Sequence, residues 1–269
     1  SKGGGKFLQD KLPGILAGRG VPFVPVRTGT KGDVHQRAEI FGRMVEEQLA
    51  QDPDFHCHVL GHSMGGITAR YAMAHTIIHH PTLGDVPLGA IVKSFTTLSS
   101  PNDGSPATDS PMLKKNDPRR EMGMKGVQKF NDPSFTETYS PYPNVPVYSY
   151  RTYIHNAMDF YSPVSFFGFG PIKKYMRREG LSEINDGIVP MEFQTAGTVI
   201  ANLHLPHFFF SMNFKVHGVR NADFYVMHWK FLQDQSPAAL DEARAFFSDH
   251  ELTLAQDAEI PQIIGGEAA

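Results

Sequence analysis

From Val34 onward, apolar residues return at helical intervals: Val34, Ala38, Phe41, Val45 and Leu49 share one face of VHQRAEIFGRMVEEQLAQ. This spacing predicts an amphipathic helix with Asp33 as its N-cap. Ile67, Tyr71, Ala74 and Ile78 predict a second helix over MGGITARYAMAHTII. Phe7, Leu8, Leu12, Ile15 and Leu16 predict another near the start, weakened by Pro13 and ending at Gly18 or Gly20. Ser236 and Pro237 read as N-cap and first residue of a final helix over AALDEARAFFSDH. The apolar runs VPFVPV, FHCHVL, GAIVKSFTTLSSP and NVPVYSYRTYI read as strands. Strands alternating with helices predict an α/β fold, a mostly parallel sheet covered on both faces. Two stretches break the pattern, 101–143 with its Pro, Asn, Asp and Ser, and 155–185 with its aromatics. They are expected to be insertions in a single domain over residues 1–269, with an irregular tail after about 253.

Composition narrows the class. A chain of 269 residues, 41% hydrophobic and 20% charged, can bury a full core. Its net charge of −3 offers no basic footprint, so no nucleic-acid partner is expected. No apolar run approaches the ~20 residues of a transmembrane helix. A single cysteine, Cys57, excludes an intrachain disulfide and reads as a buried small residue in a strand.

The candidate chemistry lies in GHSMGG at 61–66, directly after the strand FHCHVL and before a helix. A strand that turns abruptly into a helix can hold one residue in strained geometry above the sheet. The helix start then supplies free N–H groups beside it. Ser63 occupies that place. Gly61 and Gly65, two before and two after, are expected to prevent collisions, and Gly66 to let the helix begin close to the sheet. The backbone N–H of Met64 would then face a developing oxyanion. A phosphate-cradling loop is the competing reading, but no Lys-Ser/Thr follows as a P-loop requires.

VLGHSMGGITARYAM resembles the nucleophile segment of the bacterial true lipases (triacylglycerol lipase-like) in the α/β-hydrolase superfamily. TTLSSPNDGSPATD is similar to the GTPHxGSxxAD stretch after the next strand of those lipases, with Ser100-Pro101 and Gly104-Ser105 in register. NDGIVP, with GTVI eleven residues beyond Asp186, resembles their catalytic-acid segment. The resemblance implies an α/β-hydrolase fold and a serine carboxylic ester hydrolase acting on triacylglycerol-like or short-chain acyl esters through an acyl-enzyme. A secreted or periplasmic location is also implied, although lack of disulfides equally fits the cytoplasm.

Such a serine needs a histidine to take its proton and a carboxylate to orient that histidine. In the order Ser, acid, His, both Asp159 and Asp186 follow the strand near 144–150, and Asp186 carries the lipase-like NDGxV context. For the base, His228 in YVMHWKFLQ is favoured, 42 residues beyond Asp186, a gap close to that of the Gram-positive lipases. His207 in LPHFFF is the second candidate, at a gap like that of the Pseudomonas and Burkholderia type, and His204 and His217 remain behind it. His62 reads as a neighbour whose ring lines the site.

Two departures qualify the resemblance. No His-Gly dipeptide precedes Ser63 to supply the second oxyanion donor. Residues upstream of Ser1, carrying a strand and that loop, are therefore expected, with an edge of the sheet exposed in their absence. Many relatives hold Ca²⁺, but no ligand set is legible here; the chemistry requires no cofactor, and a structural Ca²⁺ is left open. The aromatic stretch NAMDFYSPVSFFGFGPIKKYM suggests a lid, over 156–172, that would bind a lipid-water interface, or a satellite core under an insertion. An acyltransferase or thioesterase using the same triad, and a non-catalytic hydrolase-fold binding protein, are the alternatives.

Overall fold

The computed structural model describes residues 11–28, 32–109, 120, 123, 126–127, 144–155, 163–211, 215–216, 218–250 and 252. In chain order the main elements are α1 (Leu12–Ala17), α2 (Val34–Leu49), β1 (Cys57–His62), α3 (Met64–His75), β2 (Ile77–His80), β3 (Gly84–Pro87), β4 (Val92–Leu98), β5 (Val147–Tyr153), α4 (Pro163–Arg178), β6 (Thr198–His204), α5 (Asn221–Asp234) and α6 (Pro237–Asp249). The central sheet runs β1-β4-β5-β6, all parallel. Its C-terminal edge therefore gathers the loops that follow each strand, where ligands of open α/β sheets bind.

The helices that periodicity predicts form where their caps permit. Asp33 caps α2, its carboxylate accepting from Gln36 N at 2.9 Å, and Ser236 caps α6 through Ala239 N at 3.1 Å. α3 stops at His75, earlier than its apolar spacing suggests, because Thr76 is already extended and Ile78 belongs to the hairpin β2-β3. The expected first helix is observed over Leu12–Ala17; its earlier part, residues 156–162 of the stretch 156–172 read as a lid or satellite core, and most of the insertion at 101–143 lie outside the described residues.

Two apolar clusters hold the sheet between helix layers. On one face Phe41, Val45 and Leu49 of α2 and Ala72 and Met73 of α3 pack on Val59 and Phe95. On the other, Phe224 and Phe231 of α5 and Phe247 of α6 pack on Leu98, Tyr150 and Leu203. Burying each such aromatic or aliphatic side chain contributes about 1.5–3 kcal/mol before entropy is subtracted.

VPFVPV, expected as a strand, joins no ladder among the described residues. Between it and β1 lies a cavity of about 470 Å³, flanked by α2 on one side and α5 on the other. Val21, Phe23, Phe41, His228 and Trp229 are among its walls. β1 is thus an edge strand within the described sheet, and this edge faces the cavity.

Candidate active site

Ser63 stands at the junction of β1 and α3 with φ 53° and ψ −127°, a left-handed backbone that costs a non-glycine residue about 1–3 kcal/mol. The surroundings enforce it. Ser63 N donates to Leu98 O at 2.9 Å, and Gly66 N returns to Ser63 O at 3.0 Å. A Cβ on Gly61 would press into the backbone of Gly66, and one on Gly66 would press into Ser100 Oγ. Gly65 differs from the sequence expectation: a Cβ there meets nothing within 4 Å, so the close approach is made by Gly61 and Gly66. Met64 opens α3, and its N–H is among those that a helix start leaves without an intrahelical acceptor.

Asp186 follows β5 after the α4 excursion. Asn185 bridges back to Ile154, immediately beyond β5, and so returns the chain to the sheet's C-terminal edge. The Asp186 carboxylate is fully buried. Its Oδ1 accepts from Ile188 N at 2.9 Å and Val189 N at 2.8 Å, a turn made possible by Gly187 at φ 93°.

His207 lies three residues beyond the end of β6. Its Nδ1 is 2.7 Å from Asp186 Oδ2 and its Nε2 is 2.8 Å from Ser63 Oγ. An ionised carboxylate only accepts, so Nδ1 carries the proton and Nε2 offers its lone pair to the serine hydroxyl. Ser63, His207 and Asp186 thereby form one continuous hydrogen-bonded chain.

His228, the histidine favoured on sequence, is not part of that chain. It sits on α5 with its ring buried, Nδ1 3.0 Å from the Tyr150 hydroxyl and Nε2 without a partner among the described residues. Burial, reinforced by His58, lowers it to about 3. The reason is helical phase: Phe224, Tyr225, His228, Phe231 and Leu232 form the inward stripe of α5, so the ring is carried into the core below the sheet's edge. That stripe was readable in YVMHWKFLQ. The signal for His207 was its place just past a strand, but the strand over TVIANLH had no clear alternation.

His62 does line the site. Its Nε2 is 2.7 Å from the His207 carbonyl, and the two rings lie 5.2 Å apart. Burial, and then the like charge His207 would carry, push it down to about 3. The ring is therefore neutral and donates Nε2–H to the carbonyl. Spacing gave no hint of this contact.

The lipase-like segment after β4 ties the elbow to the acid loop. Ser100 Oγ donates to Gly61 O at 3.0 Å, Asn102 Nδ2 to Gln194 O at 2.9 Å and Asp103 N to Phe193 O at 3.2 Å, and Ser105 Oγ donates to Ile188 O. The second NDG, Asn102 to Gly104, forms a turn, with Gly104 at φ 99°.

No family model and no curated sequence matches the chain. Solved structures do. The Bacillus licheniformis lipase BlEst2 in mature form superposes with a TM-score of 0.53 at 17% identity, covering 77% of this chain and 81% of that one. The metagenomic carboxyl esterase MGS0156 gives 0.57 at 18%, covering 90% and 70%. EstA from Clostridium botulinum gives 0.56 at 16%, covering 82% and 80%. With the parallel sheet and its two helix layers, these likenesses establish that the chain has the α/β-hydrolase fold.

Proposed function

We propose that the chain is a serine carboxylic ester hydrolase of lipase or esterase type. The observation that carries this reading is the unbroken sequence of contacts from Ser63 Oγ through His207 to Asp186, at 2.8 and 2.7 Å. Ser63 Oγ attacks the acyl carbonyl while His207 Nε2 takes its proton, and Asp186 holds the ring in the tautomer that can do so. The Met64 N–H donates to the oxyanion, a contribution of about 3 kcal/mol in comparable sites. His207 then protonates the leaving alcohol, and the acyl-enzyme is released by water activated at the same nitrogen.

Two of the neighbours are named as a lipase and a carboxyl esterase, which supports acyl esters as the substrate class. The test is turnover of a series of p-nitrophenyl esters by the wild-type chain and by Ser63→Ala. Hydrolysis lost in the variant at unchanged circular dichroism is expected; equal turnover by both proteins would refute the reading.

A further inference from the structure

We propose that Thr152 and Gln194, with Ser99 behind them, are positioning residues that fix Asp186 and limit its pull on the His207 proton. This rests on the reading of Ser63, His207 and Asp186 as an ester-cleaving triad.

Asp186 Oδ2, the oxygen that meets His207, also accepts from Thr152 Oγ1 at 2.9 Å and from Gln194 Nε2 at 3.3 Å. Thr152 has a single hydroxyl proton. The ionised carboxylate is the nearer and stronger of its acceptors, since Gln194 Oε1 lies at 3.3 Å. The Ser99 hydroxyl, 2.7 Å from Thr152 Oγ1, must then be the donor in that pair. Protons therefore point in one direction, from Ser99 to Thr152 to Asp186.

Gln194 acts on the same carboxylate by another route. β4 leaves the β5 ladder at Ser99, whose φ of 50° turns the chain away. The Gln194 amide takes the vacated place: Thr152 N donates to Oε1 at 2.7 Å and Nε2 donates to Thr152 O at 2.9 Å. This is the pairing a further strand residue would make, and it locks the amide so that the second Nε2 proton lies between Asp186 Oδ2 at 3.3 Å and Val189 O at 3.2 Å. Ser99, Thr152, Asp186 and Gln194 are all fully buried, so no water competes for these donors.

The chemical consequence has a definite sign. Donors to a carboxylate stabilise its negative charge and weaken its attraction for a neighbouring imidazolium. Withdrawing the Thr152 donor concentrates charge on Oδ2, so the imidazolium persists to higher pH and the free base needed to activate Ser63 becomes scarcer at a given pH. Among the described residues, the titratable groups facing His207 are Asp186 and, from the end of β1, His62.

The experiment is the pH dependence of kcat/KM, followed by pH-stat on a soluble short-chain ester, for wild type, Thr152→Val, Thr152→Ser and Ser99→Gly. Thr152→Val is expected to lower kcat roughly tenfold with KM within about twofold, and to move the acid limb to higher pH. Thr152→Ser, which keeps the hydroxyl, restores both. Ser99→Gly, which keeps the positive φ and removes the relay hydroxyl, moves the limb in the same direction by less. It also stands as the test if the valine variant does not fold. An acid limb unmoved in the folded variants, or a serine variant no better than valine, overturns the proposal. Loss of Ser63 dependence in the wild type would instead overturn the reading on which it rests.

Discussion

The ring of His62 lies 5.2 Å from that of His207 and reaches the His207 carbonyl with Nε2 at 2.7 Å. The residue before Ser63 therefore holds the backbone of the residue that meets Ser63, and the two halves of the site are coupled through it. His62→Ala should lower kcat on a soluble ester about tenfold while changing KM less, since it loosens the backbone that carries His207. The loss of one part-buried hydrogen bond and its ring contacts should cost about 1 kcal/mol in urea unfolding. Full activity in the variant would show that His207 needs no such support.

His228 makes a different prediction, one about acid stability. Its value in the fold, about 3, is below that of an exposed histidine, so the unfolded chain takes up a proton that the native chain refuses. Its contribution is complete above about pH 6.5 and is lost as pH falls toward 3, with a slope of up to ~1.4 kcal/mol per pH unit. His228→Phe should start less stable at pH 7, because the Tyr150 hydroxyl loses its partner, yet lose less stability between pH 6.5 and 4.5 than the wild type. Equilibrium urea curves at those pH values decide it; parallel losses in both proteins would contradict the assignment.

The glycines of the elbow should separate sharply. Gly61→Ala and Gly66→Ala force backbone or Ser100 to move and should destabilise by more than ~2 kcal/mol or prevent folding. Gly65→Ala enters open space within a helix, where alanine is favoured by about 1 kcal/mol, and should be at least as stable as the parent. Thermal unfolding of the three variants is sufficient, and a destabilised Gly65→Ala would show that the steric account is wrong.

Most of what positions the site was legible in the chain. The caps at Asp33 and Ser236, the strands at 57–62 and 92–98 and the nucleophile loop all follow from local rules, because periodicity and capping act within a few residues. Ser63 and Asp186 stand out as candidates through their immediate neighbours. The choice between His228 and His207 was not local: it depends on which face of α5 turns inward and on how far β6 carries the chain, which are tertiary facts. Thr152 and Gln194 were missed for the same reason. Ordinary polar residues 42 positions apart become donors to one carboxylate oxygen only after β5 and the acid loop have been brought together.

The central claim is that Ser63 is activated by His207. Labelling by a fluorophosphonate probe tests it most directly, because a stable adduct forms only on a serine whose proton a neighbouring base removes. Wild type and His228→Ala, where folded, should be labelled on Ser63, whereas Ser63→Ala and His207→Ala should not. Labelling that survives His207→Ala at the wild-type rate, or that disappears in folded His228→Ala, would contradict the account.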